Sequence, residues 1–337
     1  MMNNIEITDL SPDAMRQYIN SRQTFTALHE VITSSKQFRG GMIWREQAGH
    51  SYLIRTSTTG AQKSLGRKNP ETEAIYQKFV IGKQSLLERS RQLQESSNKN
   101  QRLNKALFVG RVDDKIVQIL NGLWKAGLSD YFTVVGTNAL YAYEAAAGIR
   151  FEESYLATND LDLLWDNRRK ITLAVTDQLS DRGLLGLLQR IDKSFQLRSD
   201  QMYTAINKDG YEVDILRRMG SGSEHEPGQI TGHEDDFWAV KARNADWLLS
   251  APKFKEMIVA TNGLMGQMIT VDPRAFVLFK LWMMERKDRD PIKRTRDGMQ
   301  AKIVIDLIEQ RLPHLSFEDI KVFPQSVLDQ LSTHSFN

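Results

Sequence analysis

Two aspartates, Asp160 and Asp162, sit one residue apart in NDLDLLWD, on a segment that otherwise reads as a buried strand. On a strand, residues two apart project from the same face, so the two carboxylates stand side by side. Like charges at that spacing repel unless a cation lies between them. Mg²⁺ takes oxygen ligands and is commonly held by one or two carboxylates together with substrate phosphates. Asp214, in YEVDIL, brings a third carboxylate from another expected strand, and Glu212 lies on the same face of that strand. Three carboxylates on neighbouring strands suit two divalent ions about 3.5–4 Å apart, the clamp for in-line displacement at phosphorus.

Upstream, VVGTNALYAYEAAAG joins an apolar run to an alanine-rich helix through Gly136 and Thr137. Such a turn aims backbone N–H groups and the positive end of a helix at one point, which suits a phosphate. Gly136 allows backbone to approach a ligand closely, and the Thr137 hydroxyl can donate to a phosphate oxygen. Asn138 offers its amide to the same place or caps the helix.

These residues need elements to hold them. The spacing predicts a helix at Ile116–Ala126, a strand at Tyr131–Val135, a helix at Asn138–Ala147 and a strand at Leu161–Trp165. Helical segments are expected within Ile171–Ile191. Two strands, QMYTAIN and YEVDILR, join through the turn KDG. Before them, Ser11–Ser34 reads as one or two short helices, and Gly40–Gly66 as an antiparallel meander with glycine-containing turns. A long helix starts near Pro70, with ESSNKNQ (Glu95–Gln101) as its weakest part. After the polar stretch Gly220–Asp236, FKEMIVATNGLMGQMITV reads as a hairpin. A helix capped by Asp272 and opened by Pro273 follows, then another from Thr295 to Leu312. The division expected from this pattern is a meander and helical region at 1–111, a central core at 112–218 and a hairpin and helical region at 219–337.

The chain has 337 residues and no cysteine, which excludes disulfides and thiolate metal sites. No apolar run reaches the roughly 20 residues of a membrane span, so no membrane partner is expected. The N-terminus lacks a basic stretch followed by an apolar run, so no signal peptide is expected. A cytoplasmic location fits these features. The net charge is only +3, so the distribution of charge matters more than its sum.

The ordered set of VGTNALYAYEAAAG, NDLDLLWD and YEVDIL resembles the signature of the polymerase-beta-like nucleotidyltransferase fold. The segment from Phe279 to Ile308 resembles, more loosely, the helical tail of minimal toxin nucleotidyltransferases. The whole chain resembles a bacterial family of this fold with an N-terminal extension. The resemblance implies an α+β fold with a mixed sheet flanked by helices, beside the N-terminal meander and long helix and a mainly helical C-terminal part. It implies transfer of a nucleoside monophosphate from an NTP to an acceptor hydroxyl, with release of pyrophosphate. The acceptor would be an RNA end, a protein or a small molecule. Two Mg²⁺ or Mn²⁺ ions are implied as cofactors. Carried onto this chain, Gly136, Thr137 and Asn138 bind the nucleotide, and Asp160 and Asp162 hold both metals. Asp214 holds the catalytic metal and helps activate the acceptor, and Lys280 contacts the phosphates. The toxin likeness implies an antitoxin partner. The spacing from Thr137 to Asp160 is longer than is usual in this fold, so IRFEESYLAT is expected to loop out, where it could border the acceptor site. The alternative is an inactive module of the same fold that binds nucleotide or RNA.

Several other features carry two readings. Arg286, Lys287, Arg289, Lys293, Arg294 and Arg296, interleaved with Asp288, Asp290 and Asp297, are either a solvated ion-pair face or a site for triphosphate or RNA backbone. Trp44, Tyr52, Trp238, Trp247 and Trp282 read as core aromatics. His29, His225 and His233 lack ligand spacing and read as surface residues. GAQKSLG lacks the first glycine of a phosphate loop and is rejected as one. Arg55, Lys63 and Arg67 are left as a candidate basic face for a partner.

Overall fold

The computed structural model describes residues 7–168, 183–219, 228–230 and 236–334. His225, His233 and most of Gly220–Asp236 lie outside the described residues, as do 169–182. The chain divides into two compact units, residues 13–109 in one and residues 1–12 with 110–337 in the other.

In the first unit, Ser11–Ser34 becomes a single helix, α1 (Pro12–Ser35), whose inward positions Ala14, Gln17, Ser21, Phe25, Leu28 and Val31 recur at helical spacing. The meander forms as expected from β2 (Gly41–Gln47), β3 (His50–Thr56) and β4 (Gln62–Arg67). Ala48 and Gly49 both take positive φ, the two-residue turn whose twist matches that of the flanking strands. Helix α2 (Pro70–Ala106) opens with a capping box between Asn69 and Thr72 and with Pro70 in its first turn. It runs unbroken through ESSNKNQ. The weak stretch holds because Asn100 within it and Asn104 just beyond it find partners on α1. Asn100 donates to Thr24 at 3.0 Å, and the Asn104 oxygen accepts from Ser21 at 2.7 Å and Gln17 at 3.1 Å. His29 is half-buried rather than a surface residue. Its ring lies 4.0 Å from that of Phe25, and loss of hydration lowers its pKa to about 4.

The second unit contains the mixed α+β core. Strand β1 (Thr8–Asp9) pairs with β6 (Ile149–Arg150). The main sheet runs β12 (Lys253–Val259), β13 (Met265–Val271), β5 (Phe132–Val135), β7 (Asp160–Trp165), β10 (Glu212–Arg218), β9 (Thr204–Ile206) and β8 (Gln196–Leu197). Strand β11 (Val240–Ala242) lies parallel to β10. The β12–β13 hairpin therefore completes the same sheet as the aspartate-bearing strands. Leu161, Leu163, Val213 and Ile215 are fully buried, so the aspartates between them occupy the opposite face. Helices α3 (Asp114–Lys125) and α4 (Ala139–Ala147) pack against β13 and β12. Tyr143 of α4 is fully buried, its hydroxyl donating to the Val271 carbonyl at 2.8 Å.

Four local expectations change. QMYTAIN shortens to β9, because the Thr204 N–H turns back to the Gln201 carbonyl. IRFEESYLAT does not simply loop out. It supplies β6 and the one-turn helix α5 (Glu153–Leu156), anchored by Glu144, which accepts from the Phe151 N–H at 2.6 Å and pairs with Arg111. Trp238 is 49% exposed and not a core residue. The last long helix starts at Pro291, because Asp290 accepts from the N–H groups of Ile292 and Lys293. Helix α6 (Gly183–Ile191) lies within the helical stretch expected there, and α7 (Ala245–Ser250) precedes β12. The C-terminal pair α8 (Pro273–Glu285) and α9 (Pro291–Arg311) pack on each other, and α10 (Gln325–His334) packs on α8.

Asp272 caps α8 through the Arg274 N–H and also holds the Arg274 guanidinium, both side chains being buried. Asp272→Ala removes the cap and leaves a buried guanidinium short of its closest counter-charge. It should cost about 3 kcal/mol, read as a lower urea midpoint with an unchanged slope.

Candidate active site

Strand register brings the three carboxylates together. Asp162 is the direct partner of Asp214 on the parallel neighbour β10, and Asp160 is the partner of Glu212. Neighbouring strands lie about 4.8 Å apart, so Asp160, Asp162 and Asp214 share one small patch of sheet. On its other side, Asp162 faces Val135, the last residue of β5, in the antiparallel ladder. The chain then turns at once through Gly136. Gly136 has φ +70°, and a Cβ there would meet Asp162 Oδ2 at 2.6 Å. Only glycine allows both the backbone conformation and the approach.

Each neighbour of this centre has a defined partner. Thr204 donates to Asp214 at 2.6 Å, and Thr158 donates to Asp160. The Asn138 amide is buried and donates to the Asp160 carbonyl at 2.6 Å, tying the turn to the start of β7. It makes no side-chain cap on α4. Glu212 is drawn away by Arg198 at 3.0 Å. Gln300 of α9 donates to the Thr137 hydroxyl at 3.2 Å and to the Tyr155 carbonyl at 2.8 Å. That leaves the Thr137 hydrogen available to an acceptor.

A cavity of about 450 Å³ opens over the patch. Gly136, Thr137, Asp160, Asp162 and Asp214 line one wall. The opposite wall carries Lys280, Arg286, Arg289, Lys293 and Arg296 from the C-terminal helices and the turn between them, with Arg243 nearby. Lys280 is held at 2.7 Å by the buried Asp297, which also takes Arg289. Burial lowers the Lys280 pKa, and the Asp297 charge opposes that shift. The Gly-Thr turn, the three aspartates and Lys280 thus border one space, whereas Asn138 sits behind it as a positioning group. Of the basic run, Lys287 and Arg294 do not line the cavity. Arg294 donates to the Met284 carbonyl at 2.6 Å.

Asp162 is the most crowded of the three carboxylates that line this space. Loss of hydration, and then the charges of Asp160 and Asp214, push its pKa up to about 7. Burial also raises the Asp214 pKa, against the Thr204 hydrogen bond. Among the described residues, no three His, Cys, Asp or Glu converge into a ready-made metal cage. The donor set nevertheless fits a hard divalent cation, since crowded carboxylates supply only oxygen ligands and the charges of Lys280 and Lys293 do not offset the crowding at Asp162.

Thr158, Thr204, Arg243 and Gln300 carry no motif of their own. Gln300 left one signal in the sequence: Lys293, Arg296, Asp297 and Gln300 fall at helical spacing, a polar stripe along one side of the helix.

The sequence model of a family described as Nucleotidyltransferase matches residues 114–322, and the chain belongs to that family. It is therefore a transferase enzyme. No match is found among curated proteins or among solved structures. Among the described residues, no helix is long and apolar enough to cross a membrane.

Two outcomes follow from the crowding around Asp162. Its folded pKa lies above the unfolded value, so the folded state binds the extra proton between about pH 4 and 7 and loses stability as pH rises through that window. Asp162→Asn removes the penalty: it should raise the melting temperature at pH 8 and leave it nearly unchanged at pH 4. Gly136→Ala should reduce nucleotidyl transfer by at least about 10²-fold, measured as pyrophosphate release, because the added methyl displaces the Asp162 carboxylate.

Proposed function

We propose, from that family membership, that this enzyme moves a nucleoside monophosphate from an NTP to an acceptor hydroxyl and releases pyrophosphate. The observation that carries the reading is the single cavity with three registered carboxylates on one wall and five cations on the other. A triphosphate is the substrate class whose charge spans such a gap.

In this reading the Gly136–Thr137 turn receives the phosphate tail, with the Thr137 hydroxyl donating to a phosphate oxygen while Gln300 fixes its direction. Lys280, Arg286, Arg289, Lys293 and Arg296 balance the charge that develops on the departing pyrophosphate. Asp214 accepts the proton of the acceptor hydroxyl, a role suited to a carboxylate raised above its usual range. Leu216, Ala242, Leu248 and Phe279 form an apolar floor for the base and sugar. Asp160, Asp162 and Asp214 would hold divalent ions. Such ions, when bound, neutralise the phosphates and align the reacting groups.

Incubation with α-³²P-labelled NTPs and Mg²⁺ or Mn²⁺ should label an acceptor and release pyrophosphate. Asp160→Ala and Asp162→Ala should each lower the rate by at least about 10²–10³-fold with the fold intact by circular dichroism. EDTA should abolish transfer. Full activity in both variants would refute the assignment.

A further inference from the structure

The near-neutral total hides a strong division of charge. The unit of residues 13–109 contains 16 Lys and Arg against 7 Asp and Glu, whereas the rest of the chain contains 29 against 35. A compact basic unit of this kind has the electrostatic character of a polyanion-binding module.

Its three-stranded sheet has two unlike faces. Trp44, Leu53 and Arg55 face α2. The Trp44 ring lies 5.7 Å from that of Tyr76, and the Arg55 guanidinium lies 4.5 Å over Phe79. Arg55 also donates to the carbonyls of Gly41, Thr56, Gln37 and Arg39. It thus closes the sheet on its helix and does not belong to a basic surface, contrary to the sequence expectation. The other face carries a cross-strand row, Arg45–Tyr52–Arg67, in direct register across β2, β3 and β4. The next row on this face is Ile43–Ile54–Ser64, with Ile43 exposed and Ile54 buried, and around the two rows lie Gln47, Thr56 and Gln62, whose hydroxyl and amides accept and donate hydrogen bonds. Arg45 and Arg67 are exposed, and no carboxylate pairs with either among the described residues. The Arg67 guanidinium contacts the ring nitrogens of His50. The one acid of the meander, Glu46, points to the opposite face.

We propose that this outer face binds structured RNA through its phosphate backbone. Two guanidiniums with no carboxylate partner among the described residues supply the phosphate contacts, since planar guanidinium matches phosphate geometry. Tyr52 between them, with the hydroxyls and amides of Ser64, Thr56, Gln62 and Gln47 around the exposed Ile43, suits the wide, shallow minor groove of an A-form helix, where 2′-hydroxyls line the surface. A lone Tyr52 is too small a stacking set for unpaired bases. This inference deepens the transferase reading and rests on it in one respect: RNA ends in ribose hydroxyls, so the unit would retain the acceptor on which the enzyme acts.

The test is anisotropy of a fluorescein-labelled RNA hairpin with the full chain carrying Asp162→Ala, without NTP. Absence of transfer elsewhere leaves this binding result intact, and absence of binding leaves the transferase reading intact. R45E/R67E should weaken binding at least about 10-fold and flatten the slope of log K against log salt by about 2. R45Q/R67Q should weaken it in the same direction, with an unchanged melting temperature. R89E/K99E, an equal charge change on α2, should have a smaller effect. Unchanged affinity in R45E/R67E, an equal loss in R89E/K99E, equal binding of a DNA hairpin of the same sequence, or preferred binding of phosphatidylserine vesicles would each overturn the proposal.

Discussion

The approach of the Gly136 backbone to the Asp162 carboxylate is the constraint on which the site depends. It forces three strands into one register. Strand β5 must end at Val135 opposite Asp162, the chain must turn there with positive φ, and β10 must present Asp214 from the other side. A one-residue slip of β7 would bury both aspartates among the helices and turn Leu161 and Leu163 into the cavity. The apolar alternation of β7 prevents that slip, because those leucines are fully buried. The hydrophobic pattern that folds the strand thus also aims the charges.

Gathering carboxylates on a sheet face is unfavourable by itself, and the fold handles it with positioned donors. Thr158 and Thr204 hold the outer two carboxylates by hydroxyl hydrogen bonds. Across the cavity, Asp297 performs the opposite task, holding Lys280 and Arg289 in a buried ion pair. Buried charges of this kind need a partner to remain charged. Two walls of opposite charge border one cavity, and they are well placed to act on a ligand that is itself charged. Asp162, with Asp160 on its own strand and Asp214 on the next, has its pKa pushed up to about 7, and a carboxyl perturbed in this way is a common mark of a functional site.

The same division recurs at the scale of the chain. The unit that holds the carboxylates is acidic overall, and the unit of residues 13–109 is basic. Within the basic unit, the long helix carries a polar seam, not a purely apolar one. Gln17, Ser21, Asn100 and Asn104 satisfy one another between α1 and α2. Such a seam fixes one register of the two helices at some cost in stability. The sheet in turn rests on α2 through a small set of aromatic contacts, and its outer face sets the Arg45–Tyr52–Arg67 row beside Ile43 and Ile54.

The sequence alone determined the local elements and the chemical class of the site. Alternation placed Asp160 and Asp162 on one face, the Gly-Thr step marked a turn into a helix, and Asn-Gly and KDG marked hairpins, because all these signals act over a few residues. It also marked Lys280 through its likeness to a known family. Only the tertiary structure decided which groups meet. Gln300 reaches Thr137 across 163 positions, and Asn138 turns out to brace β7 instead of facing the cavity. Arg55, one of three basic residues close in sequence, is consumed by backbone carbonyls, while Arg45 joins Arg67 in an exposed row. Pairing register and helix packing set these outcomes, and both are long-range properties that no local pattern encodes.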